Sequence, residues 1–152
     1  MFQIISDSEE ETEQAGYRLG TRMLNGGFVA LYGDLGAGKT AFTRGLATAL
    51  SAGSDVCSPT FTLMQQYKGN IPIYHFDAYR MRDVFEVYEL GFDEYFERHD
   101  VICIIEWAEN IKDAFPEERM DITITGSGDE PRTICFQPHG RRYAQMEEEA
   151  AQ

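Results

Sequence analysis

Short runs of apolar residues predict the strands of the protein. The runs at 28–32 (FVALY) and 101–106 (VICIIE) are nearly continuous, a pattern typical of strands buried on both faces of a sheet. The run at 2–5 (FQII) predicts a further short strand. Other apolar segments flank two short turns, KGN and SGDEP, and therefore predict antiparallel hairpins. These segments are 62–67 with 71–76, and 120–126 with 132–137.

Apolar residues at helical spacing predict helices between these strands. A first helix is expected to begin after Ser8, where SEEE has the spacing of a capping box, and to end at NGG (25–27). A second helix is predicted over 39–50, directly after a glycine-rich loop. Residues 83–98 predict two short helices with Gly91 between them. The order strand, glycine-rich loop, helix is therefore present near the start of the chain.

Length and composition predict one domain over residues 1–139 and a flexible tail over 140–152. The chain has 152 residues, of which 43% are hydrophobic, enough for a substantial core. The segment GRRYAQMEEEAAQ at 140–152 has little apolar content. Apolar runs are far shorter than the roughly 18 residues of a membrane-spanning helix, and the N-terminus carries acids where a signal peptide needs basic residues. We therefore expect a cytoplasmic protein with no membrane partner.

The three cysteines, Cys57, Cys103 and Cys135, form no C-x-x-C pair. Two of them lie inside apolar runs. We expect buried free thiols in a reducing compartment rather than a disulfide framework.

The net charge of −13 argues against direct binding of nucleic acid. The chain has 26 acidic and 13 basic residues, whereas nucleic-acid binding requires clustered Lys and Arg that neutralise phosphates. A basic surface on a partner protein is a better match for such a charge. Any contact with nucleic acid is therefore expected to run through a partner.

The loop GDLGAGKT (33–40) fits the nucleotide-binding pattern G-x-x-x-x-G-K-[ST]. Its glycines let several N–H groups point at one anion, and the following helix adds its positive N-terminal end. Lys39 can reach the β- and γ-phosphates, and the Thr40 hydroxyl can bind Mg²⁺. The alternative is a simple tight turn with a solvated lysine, but the flanking strand and helix favour the nucleotide. The residues expected to contact it are Asp34, Leu35, Gly36, Ala37, Gly38, Lys39, Thr40 and Ala41.

Two acids end predicted strands and are candidates for the acid that a Mg–nucleotide site needs. Glu106 ends VICII and Asp77 ends IPIYHF, and ligands of open α/β sheets bind at the carboxyl ends of strands. A solvated acid at a strand end is the alternative for each. The residues alone do not decide which of the two acts as general base. Trp107, beside Glu106, is expected either to cover the nucleotide or to lie in the core.

Thr60 and His75 are weaker candidates. Thr60 follows a proline in the loop SPTFTL, where its hydroxyl either meets a γ-phosphate or Mg²⁺ or bonds its own backbone. His75 has no metal-ligand partner at a suitable spacing, so we expect a structural or supporting role and no zinc site.

The base of the nucleotide is expected to be adenine. Guanine-specific proteins carry N-K-x-D, and this chain offers only NIKD at 110–113 and no D-x-x-G. One rival interpretation is a nucleoside or sugar kinase, although its acceptor clamp needs several arginines and here they are few and scattered. A second rival is a binding module that senses ATP or ADP and hardly hydrolyses it.

Four motifs, GDLGAGKT, SPTFTL, YHFDAYR and IIEWAE, resemble in order and approximate spacing those of the bacterial TsaE family. That family comprises P-loop ATPases of the tRNA threonylcarbamoyladenosine pathway. The resemblance covers about residues 5–125, and four ordered motifs are far more specific than a P-loop alone. It implies an α/β fold of the P-loop NTPase type, with a mostly parallel central sheet flanked by antiparallel strands and helices. It also implies ATP and Mg²⁺ as ligands.

The resemblance further implies residue roles and partners. Lys39, Asp77 and Glu106 are expected to be catalytic, and Thr40 and Glu106 to bind Mg²⁺. Trp107 matches an aromatic residue beside the family's active site, and Thr60 lies in a switch-like loop. The implied partners are TsaB and TsaD, the latter transferring threonylcarbamoyl to adenosine 37 of ANN-decoding tRNAs. The tRNA is thus contacted only through the complex, and ATP hydrolysis is expected to be slow without these partners.

Two positions depart from the family pattern. Ala41 stands where the family often has a second threonine, which removes a hydroxyl near the phosphates and is expected to weaken or slow ATP handling. Ala108 stands where a proline often follows the tryptophan, and it is expected to change only the turn after the strand.

Overall fold

The computed structural model describes residues 1–34, 36–53, 56 and 63–150, with side chains up to residue 147. Three residues singled out above, Leu35, Cys57 and Thr60, lie outside the described residues.

Seven strands form one sheet in the described part of the chain. They are β1 (Phe2–Ser6), β2 (Gly27–Tyr32), β3 (Met64–Lys68), β4 (Pro72–Asp77), β5 (Ile102–Glu106), β6 (Arg119–Thr125) and β7 (Arg132–His139). Their order across the sheet is β1-β7-β6-β2-β5-β4-β3. The four central strands β6, β2, β5 and β4 run parallel, and antiparallel strands flank them on both sides. The predicted α/β class with a parallel centre is confirmed.

Five α-helices in the described part of the chain cover the two faces of this sheet. They are α1 (Glu9–Gly20), α2 (Lys39–Ala49), α3 (Val84–Glu89), α4 (Phe92–Phe96) and α5 (Arg141–Ala150). One buried cluster lies between the sheet and α1, α2 and α5, and a second lies between the sheet and α3 and α4. No helix in the described ranges is long and apolar enough to cross a membrane.

The central strands are apolar throughout because both of their faces are buried. In β2, Val29 and Leu31 join the first cluster, whereas Phe28 and Ala30 join the second. This alternation explains the continuous apolar run in the sequence. In β5 the same arrangement buries Cys103 as a free thiol, and burial raises its pKa to about 12.

The first helix begins as predicted and ends earlier than predicted. The Ser8 hydroxyl accepts a hydrogen bond from the Glu11 N–H at 3.1 Å, and the Glu11 carboxylate accepts one from the Asp7 N–H at 2.8 Å. The helix ends at Gly20 rather than at residues 25–27. Hydrogen-bonded turns over residues 21–26 connect it to β2.

Helices α1 and α2 approach each other closely at two glycines. A side chain on Gly16 would collide with the Phe42 carbonyl, and one on Gly45 would collide with the backbone of Glu13. These glycines therefore let the helix that follows the glycine-rich loop lie directly against α1. The N-terminus of α1 is thereby brought beside that loop.

Residues 141–150 form α5 where the sequence led us to expect a flexible tail. Tyr143 and Met146 are buried, and the Tyr143 hydroxyl accepts a hydrogen bond from the Phe28 N–H of β2 at 2.9 Å. Arg142 donates to the Gly26 carbonyl just before the same strand. Two apolar residues three positions apart suffice for a buried helix face. The rest of the segment is mostly charged, so its composition did not indicate such a face.

The Tyr143 hydroxyl is expected to contribute to folding stability. Tyr143→Phe leaves the buried Phe28 N–H without this partner, so we expect the free energy of unfolding to fall by about 1–3 kcal/mol in urea titrations. Tyr17→Phe, at a side chain that is 46% exposed, is the matched control and should change stability by less than about 0.5 kcal/mol. Equal effects of the two substitutions would show that α5 does not support β2 in this way.

Candidate functional site

Three parallel strands bring the predicted site residues to one edge of the sheet. The glycine-rich loop leaves the end of β2, Asp77 ends β4 and Glu106 ends β5. The parallel register pairs Asp77 with Glu106 and Glu106 with Leu31 of β2. The two carboxylates therefore lie side by side, next to the start of the loop.

A cleft of about 800 Å³ opens at this edge. Nine of the predicted site residues line it, namely Gly36, Ala37, Gly38, Lys39, Thr40, Ala41, Asp77, Glu106 and Trp107. Asp34 is exposed and does not line the cleft. Leu35 and Thr60 lie outside the described residues, and their predicted roles stay predictions.

The glycine-rich loop has the backbone conformation that its glycines allow. Gly36 and Gly38 have φ values of 81° and 113°, in the left-handed region that side chains disfavour. Gly38 is also the N-cap of α2, and it has no side chain that could accept from the first N–H groups of the helix. Such uncapped N–H groups at a helix N-terminus are a site for an anion.

Lys39 is buried at the floor of the cleft and held by two contacts. Its ammonium donates to the Gly33 carbonyl at 2.7 Å and lies 3.5 Å from the centre of the Trp107 ring. The second contact is a cation–π interaction. Trp107 therefore lies at the cleft, where its ring contacts the lysine, and its expected role in covering the nucleotide stays a prediction.

Acidic residues surround the lysine. Burial lowers the pKa of Lys39, and the carboxylates of Glu106, Glu109, Asp77 and Asp34 act in the opposite direction. The pKa of Asp77 is raised, chiefly by burial, while the Tyr79 N–H that donates to its carboxylate at 2.9 Å opposes the rise. A single buried ammonium among several carboxylates leaves a site that can accommodate a further cation.

Trp107 and Tyr79 form an aromatic wall of the cleft. Their rings pack edge to face with centroids 5.1 Å apart. Trp107 has a φ of 57°, a left-handed conformation that is uncommon outside glycine and is associated with functional sites.

The buried side chain of His75 contacts the carboxylate of Glu106. His75 Nε2 lies 2.7 Å from Glu106 Oε2, and His75 Nδ1 lies 2.8 Å from the Tyr67 hydroxyl. His75 is fully buried and Glu106 is 4% exposed. The expected supporting role of His75 agrees with this geometry.

The oxygen donors in the cleft suit Mg²⁺ better than zinc. Among the described residues, no group of three or more His, Cys, Asp or Glu side chains could hold a metal ion by itself. Thr40, Asp77 and Glu106 instead offer a hydroxyl and two carboxylates along one cleft. Mg²⁺ is commonly bound by one or two such oxygens together with water and substrate phosphates.

Sequence reasoning missed Arg132 at the start of β7. Its guanidinium donates to the carbonyls of Ala37 at 3.1 Å and Gly36 at 3.3 Å, and to Gly128 at 3.1 Å. Arg132 thus ties the turn between β6 and β7 to the glycine-rich loop. The pairing of β7 with β6 brings it there, and no local pattern in the sequence signals that contact.

The start of α1 was also missed as part of the cleft. Ser6 at the end of β1, together with Asp7, Ser8, Glu9 and Thr12, also lines the cleft. The hydroxyls of Ser6 and Thr12 lie 2.7 Å apart. The capping-box pattern located this segment in the chain but carried no information on its place beside the loop.

Comparison with known proteins agrees with this arrangement. The sequence model of the family "Threonylcarbamoyl adenosine biosynthesis protein TsaE" matches residues 6–134. The chain is 47% identical over 125 residues to the Bacillus subtilis (strain 168) protein named tRNA threonylcarbamoyladenosine biosynthesis protein TsaE, covering 82% of this chain and 77% of that one. A protein of the same name from Treponema pallidum (strain Nichols) is 35% identical over 130 residues, covering 86% and 96%.

The fold has a solved relative as well. A structure described as "Crystal structure of Bacillus subtilus YdiB" superimposes with a TM-score of 0.81 at 37% sequence identity, covering 99% of this chain and 93% of that one. The predicted P-loop NTPase fold is thereby confirmed. With the family model matched over most of its length, the chain belongs to the TsaE family.

Proposed function

We propose that this protein binds ATP with Mg²⁺ and hydrolyses it in the cytoplasm, as part of the machinery that makes threonylcarbamoyladenosine at adenosine 37 of ANN-decoding tRNAs. The observation that carries this proposal is the paired carboxylates of Asp77 and Glu106 beside the buried Lys39, in one cleft with the glycine-rich loop. The names of the relatives supply the pathway.

The loop and Lys39 are assigned to the phosphates. The N–H groups of residues 34–41 and the N-terminus of α2 bind phosphate oxygens, and Lys39 neutralises the charge that develops on them. To do so, the Lys39 ammonium exchanges the Gly33 carbonyl and the Trp107 ring for phosphate oxygens. Ala41 contributes its backbone only, so we expect weaker or slower ATP handling than in relatives with a hydroxyl there.

Thr40 and Glu106 are assigned to Mg²⁺. Mg²⁺ held there would help to neutralise the charge on the phosphates. The Glu106 carboxylate is held on its buried side by His75, so its other oxygen is available to the cleft. Its position at the end of β5, next to the loop, supports this assignment.

Asp77 is assigned to the attacking water. Burial raises its pKa above that of an ordinary carboxyl, which makes its carboxylate a stronger proton acceptor. The Tyr79 N–H fixes one of its oxygens. We propose Asp77 as the group that orients and deprotonates water, and the role of Thr60 near the γ-phosphate or Mg²⁺ stays a prediction.

TsaB and TsaD are proposed as the partners. The net charge of −13 is unsuited to binding tRNA directly, so the tRNA contact is assigned to the complex. P-loop enzymes often have a low rate until a partner completes the site, and the same is expected here.

The fluorescence of Trp107 is expected to report nucleotide binding. Because Trp107 is the single tryptophan and its ring contacts Lys39, the exchange of that contact for phosphate should change its fluorescence. We expect a saturable change in emission on titration with ADP or ATP–Mg²⁺. Adenosine, which lacks phosphates, is the matched control and should produce little change. An emission spectrum indifferent to both nucleotides would contradict the proposed position of the phosphates.

Hydrolysis of ATP is expected to depend on Lys39. Lys39→Ala removes the cation that neutralises the phosphates, so the rate of ATP hydrolysis should fall by about 10²–10³-fold in a phosphate-release assay. Lys68→Ala, at an exposed lysine of β3 remote from the cleft lining, should retain the wild-type rate. Full hydrolysis by the Lys39 variant would remove the basis of the proposal.

The same assay with and without TsaB and TsaD separates the rival functions. We expect a higher rate with the partners present, and equal rates would contradict a site that the partners complete. Phosphate transfer to a nucleoside or sugar would favour a kinase. Tight binding with no hydrolysis under either condition would favour a nucleotide-sensing module.

A further inference from the structure

The contact between His75 and Glu106 lies wholly inside the sheet. The side chain of His75 is 0% exposed and that of Glu106 is 5% exposed, with 2.7 Å between Nε2 and Oε2. A carboxylate can only accept hydrogen bonds, so Nε2 must donate to it. One carboxylate oxygen of Glu106, Oε2, is thus occupied by His75.

The pairing of β4 with β5 produces this contact. His75 lies opposite Ile104, and two residues further along Asp77 lies opposite Glu106. Alternate residues of a strand share one face, so His75 and Asp77 project from the same side of β4. That side faces α1 and α2, because Ile73 of β4 belongs to the cluster beneath those helices.

The imidazole is itself held in place. The Tyr67 hydroxyl lies 2.8 Å from His75 Nδ1 and 2.9 Å from the Gln65 side-chain oxygen. Both ring nitrogens of His75 therefore have partners, and the ring cannot rotate without losing both contacts. Tyr67 is 3% exposed, so no water competes freely for its hydroxyl.

We propose that His75 is a positioning residue for the Mg²⁺ site. By holding Oε2 of Glu106 inside the sheet, His75 leaves Oε1 as the oxygen that is offered to the cleft. Tyr67 in turn fixes the orientation of the His75 ring. The inference rests on the proposed function, because it assumes that Glu106 serves the metal. Hydrogen bonds to ligating carboxylates orient metal ligands generally, and their loss typically weakens metal affinity or activity 10–100-fold.

Asparagine and glutamine at position 75 provide a matched pair of variants. The amide of His75→Gln can place its nitrogen near the position of Nε2 and donate to Glu106, whereas the shorter His75→Asn can reach only toward Tyr67. The measurement is calorimetric titration of ADP into each folded variant at a series of Mg²⁺ concentrations. It reports the metal requirement of binding independently of turnover.

For His75→Asn we expect the Mg²⁺ concentration needed for half-maximal enhancement of ADP binding to rise about tenfold or more. ADP affinity without Mg²⁺ should remain within about twofold of the wild type, since the phosphate contacts are made by the loop. His75→Gln should recover most of the Mg²⁺ dependence. A merely structural histidine would shift stability but would leave this dependence unchanged.

Two tyrosine variants keep the test decisive if His75→Asn does not fold. Tyr67→Phe and Tyr143→Phe each remove one buried hydroxyl, and only the first is connected to Glu106. Tyr67→Phe should raise the Mg²⁺ requirement about threefold, less than the roughly 10–100-fold typical of a group that bonds a metal ligand directly, because Tyr67 acts only through the His75 ring. Tyr143→Phe should leave it unchanged.

Glu106→Gln separates failure of this inference from failure of the proposed function. Loss of Mg²⁺ dependence in Glu106→Gln, together with wild-type dependence in the His75 and Tyr67 variants, would overturn the positioning role alone. Unchanged dependence in Glu106→Gln would overturn the assignment of Glu106 to the metal, and the positioning role with it.

Discussion

The parallel register of β2, β5 and β4 is the constraint on which the site depends. It places the end of each strand at one edge of the sheet, so that Asp77 and Glu106 are neighbours although distant in sequence. Carboxylates buried together are unfavourable unless they are paired. Lys39 and His75 provide that compensation, one from the cleft and one from inside the sheet. The strand register therefore determines both where the two acids lie and which groups compensate their charge.

The contacts of the Lys39 ammonium are of a kind that a phosphate can replace. The Lys39 ammonium contacts the Gly33 carbonyl and the Trp107 ring, both of which are neutral. A phosphate is a stronger partner for an ammonium than either, because the interaction is charge-assisted. Under the proposed function, binding of the nucleotide would therefore release Trp107 from its contact with Lys39. Trp107 also packs edge to face against Tyr79, so its release would change the surroundings of the segment after Asp77 as well.

Local features of the site were predictable from the sequence, and features that depend on distant pairing were not. The glycine-rich loop, the strands around it and the acids at strand ends follow from patterns within a few residues. Arg132 reaches the loop only through the pairing of β7 with β6, and Tyr143 reaches β2 only through the packing of α5. His75 carried no local signal of its contact with Glu106, since the two lie on different strands. The prediction of a flexible tail was wrong for a related reason, because two apolar residues in a charged segment are too few to indicate a buried helix.

The most direct test of the account is a crystal structure of the protein with Mg²⁺ and a non-hydrolysable ATP analogue. We predict phosphate oxygens on the N–H groups of the loop, the Lys39 ammonium moved from the Gly33 carbonyl and the Trp107 ring to the phosphates, and Mg²⁺ between Thr40 and one oxygen of Glu106. The other Glu106 oxygen should remain on His75. Phosphates bound elsewhere, or a Lys39 that keeps both of its present contacts, would contradict the account.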